Sequence, residues 1–324
     1  MATSPLDGIR VLDFTLAAVG PFCSRILADM GAEVIRVEWP RIPASPDITS
    51  EKGRFSPEGV KSGAHILFLH CNGGKKSVCV NLKEPAGVEL VRKLAQNVDV
   101  IVENFTPRVM RSYGLDYANL KDANPGLVMC SLTGYGQQGL GGNLSHPCTD
   151  PIAQAMGGLS WITGQRDGPP FAIGGGIGDT MTSMAGAIAI VSALFKRHET
   201  GVGQYIDVSM AETSLFVDCT AMPYVAANNG GPSIIFRNGQ LNTYTFPMGP
   251  LKAKEGYIAL QAPGPGRQAP WARLCEVMGR EDLIDDPRYY TDQDRIQHAD
   301  ELIAIMEGWL QSLPDHETAL AILA

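Results

Sequence analysis

The chain has 324 residues, 44% of them hydrophobic and 19% charged, an ordinary globular composition with length for about two domains of ~150 residues each. Its net charge of −8 comes from 34 acidic and 26 basic residues with no long run of either sign, so the basic stripe of a nucleic-acid-binding surface is missing. Seven scattered cysteines without a C-x-x-C, and six histidines without ligand-like pairing, predict free thiols in a reducing compartment and no metal.

The opening MATSPLDGIRVLDFT has neither the basic nor the apolar region of a secretory signal, and its acidic residue disfavours a transit peptide. The longest weakly polar run, Met184 to Phe195, falls short of the ~20 apolar residues that span a bilayer. These features predict a soluble, cytoplasmic protein.

In chain order, apolar strands at Ile9–Phe14, Glu33–Glu38, Ser77–Leu82, Asp99–Glu103 and Leu127–Leu132 alternate with amphipathic helices at Phe22–Met30, Pro85–Asn97 and Asp116–Lys121. That alternation predicts an α/β fold with a parallel sheet. Between Trp39 and Ala64 the composition turns to Pro, Ser, Lys and Gly without periodicity, which reads as a long surface loop. Further helices are expected at Asp150–Leu159, with Asp150 as N-cap, at Thr180–Arg197 and at Ala211–Ala226, with a short strand at Gln204–Val208. The run Asn228–Asn242 breaks all periodicity and predicts a domain boundary: residues 1–228 form a large domain, 229–242 a linker or mobile loop, and 243–324 a small α/β domain. The latter starts with a hairpin over Pro250–Ala262 turning at Glu255-Gly256, followed by helices at Ala269–Met278, Ala299–Ser312 and Glu317–Ala324. Ending inside a helical run with apolar residues at its tip, the sequence suggests a truncated chain.

Two glycine-rich stretches invite chemistry. Gly134-Tyr135-Gly136-Gln137-Gln138-Gly139 is a literal G-x-G-x-x-G after a strand, but Gly141, Gly142 and Pro147 follow where a dinucleotide fingerprint must open a helix. No triphosphate P-loop occurs. The second stretch, Phe171 to Glu199, joins Gly174, Gly175, Gly176 and Gly178 to a long apolar helix, with Asp179 at the junction. These glycines allow a bulky ligand close to the backbone, and Asp179 at an N-cap would be held ionised by the helix dipole, as a nucleophilic carboxylate must be. Aspartate is equally a common structural N-cap.

The opening PLDGIRVLDFTLAAVGPFCSRILADMGAEVIRVE, together with NGGKKSVCVNLKEPAG, DVIVENFTPRVMRSYGLDY, SLTGYGQQG, Gly178-Asp179 and HETGVGQYIDVSM, resembles the class III CoA-transferases. That superfamily includes formyl-CoA and carnitine CoA-transferases and α-methylacyl-CoA racemase. The resemblance covers essentially the whole chain. It implies a Rossmann-like large domain with a parallel sheet, a smaller α/β domain, and an interlocked homodimer or a hetero-oligomer with a related subunit. The chain normally runs on and returns to the large domain, a segment this sequence lacks.

The resemblance further implies transfer of CoA from an acyl-CoA donor to a carboxylic acid, through a mixed anhydride and then a CoA thioester on Asp179, with Asp150 and Gly178 as auxiliaries. No tightly bound cofactor is implied; the CoA thioester is a substrate. The CoA contacts it implies are Leu16, Ala17, Ala18 and Val19 after the first strand, Trp39 and Arg41 after the second, Val80 and Lys83, then Asn104, Phe105 and Thr106, and Arg111. Arg237 and Gly239 fall in the expected acceptor loop. A racemase needs a histidine just before the position of Asp150, and Thr149 stands there, with His146 three residues earlier. The alternatives are that racemase and a non-catalytic or truncated CoA-binding subunit.

Overall fold

The computed structural model describes residues 4–40, 66–138, 146–218, 221–227, 237, 239 and 244–324. The chain divides into two compact units, Met1–Ser160 with Ala172–Pro223, and Trp161–Phe171 with Tyr224–Ala324. Residues 161–171, placed by sequence inside the large domain, thus cluster with the second unit.

In the first unit, β1 (Arg10–Phe14), α1 (Val19–Asp29), β2 (Glu33–Glu38), α2 (Ile66–Asn72), β3 (Lys76–Cys79), α3 (Pro85–Ala95), β4 (Val100–Glu103), α4 (Val109–Ser112), α5 (Tyr117–Leu120) and β5 (Val128–Thr133) follow in sequence. After them come α6 (Asp150–Met156), α7 (Leu159–Ile162), which ends in the second unit, α8 (Ile177–Thr200), β6 (Gln204–Ser209), α9 (Met210–Val217) and α10 (Ala221–Ala227), whose end also belongs to the second unit. The strands form one sheet in the order β3-β2-β1-β4-β5-β6, and every pairing is parallel. The chain therefore leaves β1 for one side and returns at β4 on the other. Such a reversal opens a crevice beyond the carboxyl ends of the two strands, where ligands of doubly wound sheets bind.

Neighbouring residues on a strand point to opposite faces, and here both faces are covered. Val11, Val100 and Val128 pack with Cys23 and Leu27 of α1 and Ala187 and Ile190 of α8. Their successors Leu12, Ile101 and Met129 pack with Val91 and Ala95 of α3 and Leu120 of α5. Each fully buried aliphatic side chain of this kind contributes about 1.5–3 kcal/mol. The continuous apolar runs read from sequence follow from this two-sided burial.

Helix α8 is longer than the expected Thr180–Arg197. At 24 residues it is long and apolar enough, by length and composition, to cross a membrane, whereas the expectation weighed only Met184–Phe195. Its small-residue face, with Thr182, Ser183, Gly186, Ala187 and Ala193, is buried in the first unit. The expected helix Ala211–Ala226 is broken into α9 and α10.

In the second unit, β7 (Met248–Ala253) and β8 (Gly256–Gln261) form an antiparallel hairpin whose turn lies at Lys254-Glu255, one residue before the expected place. It packs through Leu251 and Ile258 with α11 (Pro270–Val277), α13 (Ala299–Ser312) and α14 (His316–Leu323). A short helix, α12 (Asp292–Gln297), brings Arg295 into this core. The Arg295 side chain is fully buried, donates to the carbonyls of Phe246, Tyr289 and Tyr290, and pairs with Asp292 at 3.2 Å. Its guanidinium lies over the Trp271 ring.

A buried ion pair ties the crevice end of β1 to the segment before β3. Lys75 Nζ lies 2.9 Å from Asp13 Oδ2 and 2.8 Å from the Pro21 carbonyl and the Ser24 hydroxyl, with both charged side chains almost wholly buried. Burial pushes the Lys75 pKa down, against the pull of Asp13. Removing one partner of such a pair strands the other charge. A Lys75→Met variant is expected to lose about 3–5 kcal/mol in urea denaturation, and an unchanged midpoint would show that Asp13 needs no counter-charge.

Candidate active site

The loop after β1 and the turn after β4 are bound to each other across the crevice. Asn104 Oδ1 accepts the Leu16 N–H at 2.8 Å, while Asn104 Nδ2 donates to the Leu16 carbonyl at 2.8 Å. Between them Ala17 adopts φ 62°, a left-handed conformation that costs a residue with a Cβ about 1–3 kcal/mol and persists only where surrounding bonds enforce it. Leu16 and Ala17 are exposed and Val19 is buried.

On the opposite side lies the start of α8. Asp179 is its third residue, not its N-cap as expected; the cap is Gly176. Gly175 and Gly176 take φ 79° and 65°, whereas Gly174 has an ordinary φ and open space where a Cβ would be. The glycine run therefore serves two positions of backbone turn, and a third glycine, Gly178, serves a close approach. A Cβ at Gly178 would stand 2.9 Å from Asp150 Oδ1.

That approach lets Asp150 do the capping. Its Oδ1 accepts the Asp179 N–H at 3.0 Å, one of the first-turn donors a helix leaves unpaired. This N–H is consequently taken up by Asp150. Asp150 itself is the first residue of α6, with Thr149 as N-cap, one position later than expected. Its other oxygen, Oδ2, accepts from Gln154 Nε2 at 2.6 Å. Gln154 is fully buried and also clasps the backbone of Ile173, donating to its carbonyl at 3.0 Å and accepting its N–H at 2.8 Å. On the next turn of α8, the Ser183 hydroxyl lies 2.6 Å from the Val19 carbonyl and 2.7 Å from that of Asp179.

The Asp179 side chain is half-buried, and its carboxyl is pushed up to about 6, first by burial and second by the nearby negative charge of Asp150. The helix dipole, expected to favour the ionised form, is outweighed.

Asp179 and Asp150 line a cavity of about 470 Å³ together with Ala17, Ala18 and Val19 from the first loop and Asn104, Phe105 and Thr106 from the turn after β4. Gly134, Tyr135 and Gly136 form another wall, so the G-x-G loop faces the cavity without opening a helix; Gly139 lies outside the described residues. His146, Cys148 and Thr149 line it too. Burial pushes the Cys148 thiol up, which disfavours the thiolate.

Other expected contacts lie elsewhere. Val80 is buried in the core beside Leu82, so its side chain packs and does not face a ligand. Lys83 is exposed, and Arg111 is exposed and paired with Asp116 at 3.4 Å. Trp39 packs edge-on against Phe105 and Tyr113, behind the turn. Arg41 lies outside the described residues, as does most of the expected acceptor loop. Of that loop, Arg237 donates to the carbonyls of Gly168 and Trp161 and stacks on Trp161, and Gly239 N–H bonds to Gly164. Both hold residues 161–171 in the second unit, a structural contact that the reading of an acceptor lid did not include.

Gln154 is the residue that sequence reasoning missed. Its signal was the i, i+4 spacing from Asp150, which puts both on one helix face. Among the described residues, no group of three or more His, Cys, Asp or Glu could hold a metal.

The family model for CoA-transferase family III matches residues 6–324. Among curated relatives, succinyl-CoA:glutarate CoA-transferase of Mus musculus is 37% identical over 94% of this chain and 66% of its own length. Succinyl-CoA:mesaconate CoA-transferase of Haloarcula marismortui is 34% identical over 98% of this chain and 78% of its own. The chain thus spans just under two thirds of the mouse relative. Of solved structures, a CAIB/BAIF family protein from Brucella suis superposes with a TM-score of 0.83 at 32% identity, covering 99% of this chain and 82% of that one. By its sequence over nearly its whole length and by its fold, the chain belongs to CoA-transferase family III.

Proposed function

We propose that the protein moves CoA from an acyl-CoA donor to a carboxylic acid, with Asp179 as covalent nucleophile. The observation that carries this reading is the placement of a half-buried carboxylate on the wall of the crevice cavity, at a helix start whose backbone is fixed by a second carboxylate. Relatives named for succinyl-CoA with glutarate or mesaconate support dicarboxylic acids as the substrate class.

An Asp179 oxygen attacks the thioester carbonyl, the C–S bond breaks, and CoA departs as thiolate, leaving a mixed anhydride. The thiolate then attacks the aspartyl carbon of that anhydride, expels the donor acid as carboxylate, and leaves an Asp179–CoA thioester. The acceptor carboxylate attacks this carbon and expels the thiolate again. Attack of the thiolate on the acceptor's acyl carbon gives the new acyl-CoA and restores Asp179. Each hard exchange is divided into steps with a good leaving group. The loop Leu16–Val19 and the turn Asn104–Thr106 are the walls against which the thioester end rests. Of the basic residues the resemblance implies as CoA contacts, the described ones, Lys83 and Arg111, are both exposed and would meet phosphates. The reading carries with it a homodimer, as the resemblance implies, and a cytoplasmic location, the expectation from the sequence. Exposed Met184, Ile188 and Phe195 along α8 are apolar surface such an assembly would cover.

One observation favours a racemase as second reading: His146 lines the same cavity as Asp179 and brings a second protonatable group. In deuterated water without an acceptor acid, a racemase would exchange the α-proton of a 2-methylacyl-CoA, and the transferase is expected to leave it in place.

Incubation with succinyl-CoA and hydroxylamine is expected to convert Asp179 to a hydroxamate detectable by mass spectrometry. Asp179→Asn should lower transfer by at least about 10,000-fold, the scale of losing a covalent nucleophile; undiminished transfer would remove Asp179 from the mechanism.

Since the ionised carboxylate attacks, activity should fall below a pKa of about 6, by about tenfold per pH unit. Asp150→Asn should move this acid limb downward only partway to the ordinary 3.8, because burial is the larger cause of the shift. A limb already near 3.8 in the unaltered protein would contradict the desolvated nucleophile.

A further inference from the structure

Gln154 has every polar atom committed. Its Nε2 donates to Asp150 Oδ2 and to the Ile173 carbonyl, and its Oε1 accepts the Ile173 N–H. No part of its side chain reaches solvent, and it is absent from the cavity lining. Its bonds nevertheless converge on both structures that place Asp179. One is the Asp150 carboxylate, which accepts the Asp179 N–H. The other is Ile173, the residue before the glycine run Gly174–Gly176 that delivers the chain into α8.

A carboxylate free to rotate about its Cβ–Cγ bond would present either oxygen, or neither, to the start of α8. With Oδ2 held by the Gln154 amide, Oδ1 is aimed at the Asp179 N–H. An amide is the side chain that does this, because it offers a donor to Asp150 and, on the same rigid plane, an acceptor and a donor to the N–H and carbonyl of one residue, Ile173. A glutamate of the same shape would face Asp150 and the Ile173 carbonyl with acceptors only.

Resting on Asp179 as the nucleophile, we propose that Gln154 is a positioning residue of the reaction: by locking the Asp150 carboxylate to the Ile173 backbone it fixes where Asp179 meets the thioester.

The test uses the full chain with succinyl-CoA and hydroxylamine, reading hydroxamate formed on Asp179 per folded molecule. Gln154→Glu and Gln154→Met are expected to slow trapping by about 10- to 100-fold, the scale of a small misplacement of a reacting group, with the KM for succinyl-CoA within about twofold. The double variant D150N/Q154E reverses the polarity of the bond, with the introduced amide donating to the introduced carboxylate. It should regain at least about tenfold over Q154E. Combining D150N with Q154M restores no bond and should give no gain. Trapping at the unaltered rate in both single variants, or a D150N/Q154E variant no faster than Q154E, would overturn the proposal. If neither single variant folds, Gln154 belongs to the fold and not to positioning, and the proposal is likewise overturned. The two readings fail separately: absence of hydroxamate in the unaltered chain removes the nucleophile itself, whereas trapping at Asp179 with indifferent Gln154 variants removes only Gln154.

Discussion

A helix start capped by a carboxylate from another helix is the interaction on which the site depends. Asp150 fills the unpaired first turn of α8 through the Asp179 N–H, and the missing Cβ of Gly178 is what lets its oxygen come so near. Because Asp150 is itself the first residue of α6, the positive ends of two helices converge on one negative charge. The same arrangement places that charge beside the Asp179 side chain. Burial and Asp150 together raise the Asp179 carboxyl to about 6. Between the ordinary 3.8 and that value the folded state holds more protons than the unfolded one, so stability falls as pH rises through this window. At neutral pH the ionised, half-buried Asp179 works against folding, and the surrounding hydrogen bonds offset it.

What makes room for this pair is topology. The sheet reverses direction between β1 and β4, and the segments leaving those strands must diverge, which opens the crevice. The reciprocal bonds between Asn104 and the Leu16 backbone then bridge the two segments and hold Ala17 in its strained conformation. Beneath them the Lys75–Asp13 pair anchors the end of β1, with Asp13 Oδ1 accepting the Thr15 N–H just before the loop. The first loop of the cavity is therefore fixed from below by a buried charge pair and from the side by an amide, leaving its surface clear.

The parts of this arrangement legible in the sequence are those that repeat or lie adjacent. Apolar runs such as Val100–Glu103 and Val128–Thr133 announce strands because both faces of the sheet are covered, and Glu33–Glu38 and Ala299–Ser312 have the boundaries their patterns gave. Asp179 is conspicuous beside its glycines. What remained hidden depends on partners distant in sequence. Nothing local says that Asp150, 29 residues away, caps α8, so the sequence alone points to Asp179 as the N-cap. The resemblance implies Val80 as a CoA contact, yet its side chain packs in the core. Arg237 and Gly239 sit in an irregular run whose pairing with Gly164 and Gly168 no periodicity reveals. Gln154 sat in plain view at helical spacing from Asp150, but a buried glutamine carries no catalytic signature until its three bonds are seen together.

The raised pKa of Asp179 also answers a chemical difficulty in the proposed reaction. A carboxylate of ordinary acidity is abundant at neutral pH but a poor nucleophile, being strongly hydrated. Partial burial strips that hydration and raises basicity, so the ion attacks more readily while a value near 6 still leaves it mostly ionised at pH 7. Deeper burial would protonate it, and full exposure would return it to water. The negative charge of Asp150 pushes in the same direction as burial and would expel the ion into solvent if the backbone beneath could yield. The backbone N–H of Asp179 is bonded to the very carboxylate that repels its side chain, so the peptide at the start of α8 is held in place against that repulsion, on the wall of the cavity that both carboxylates line.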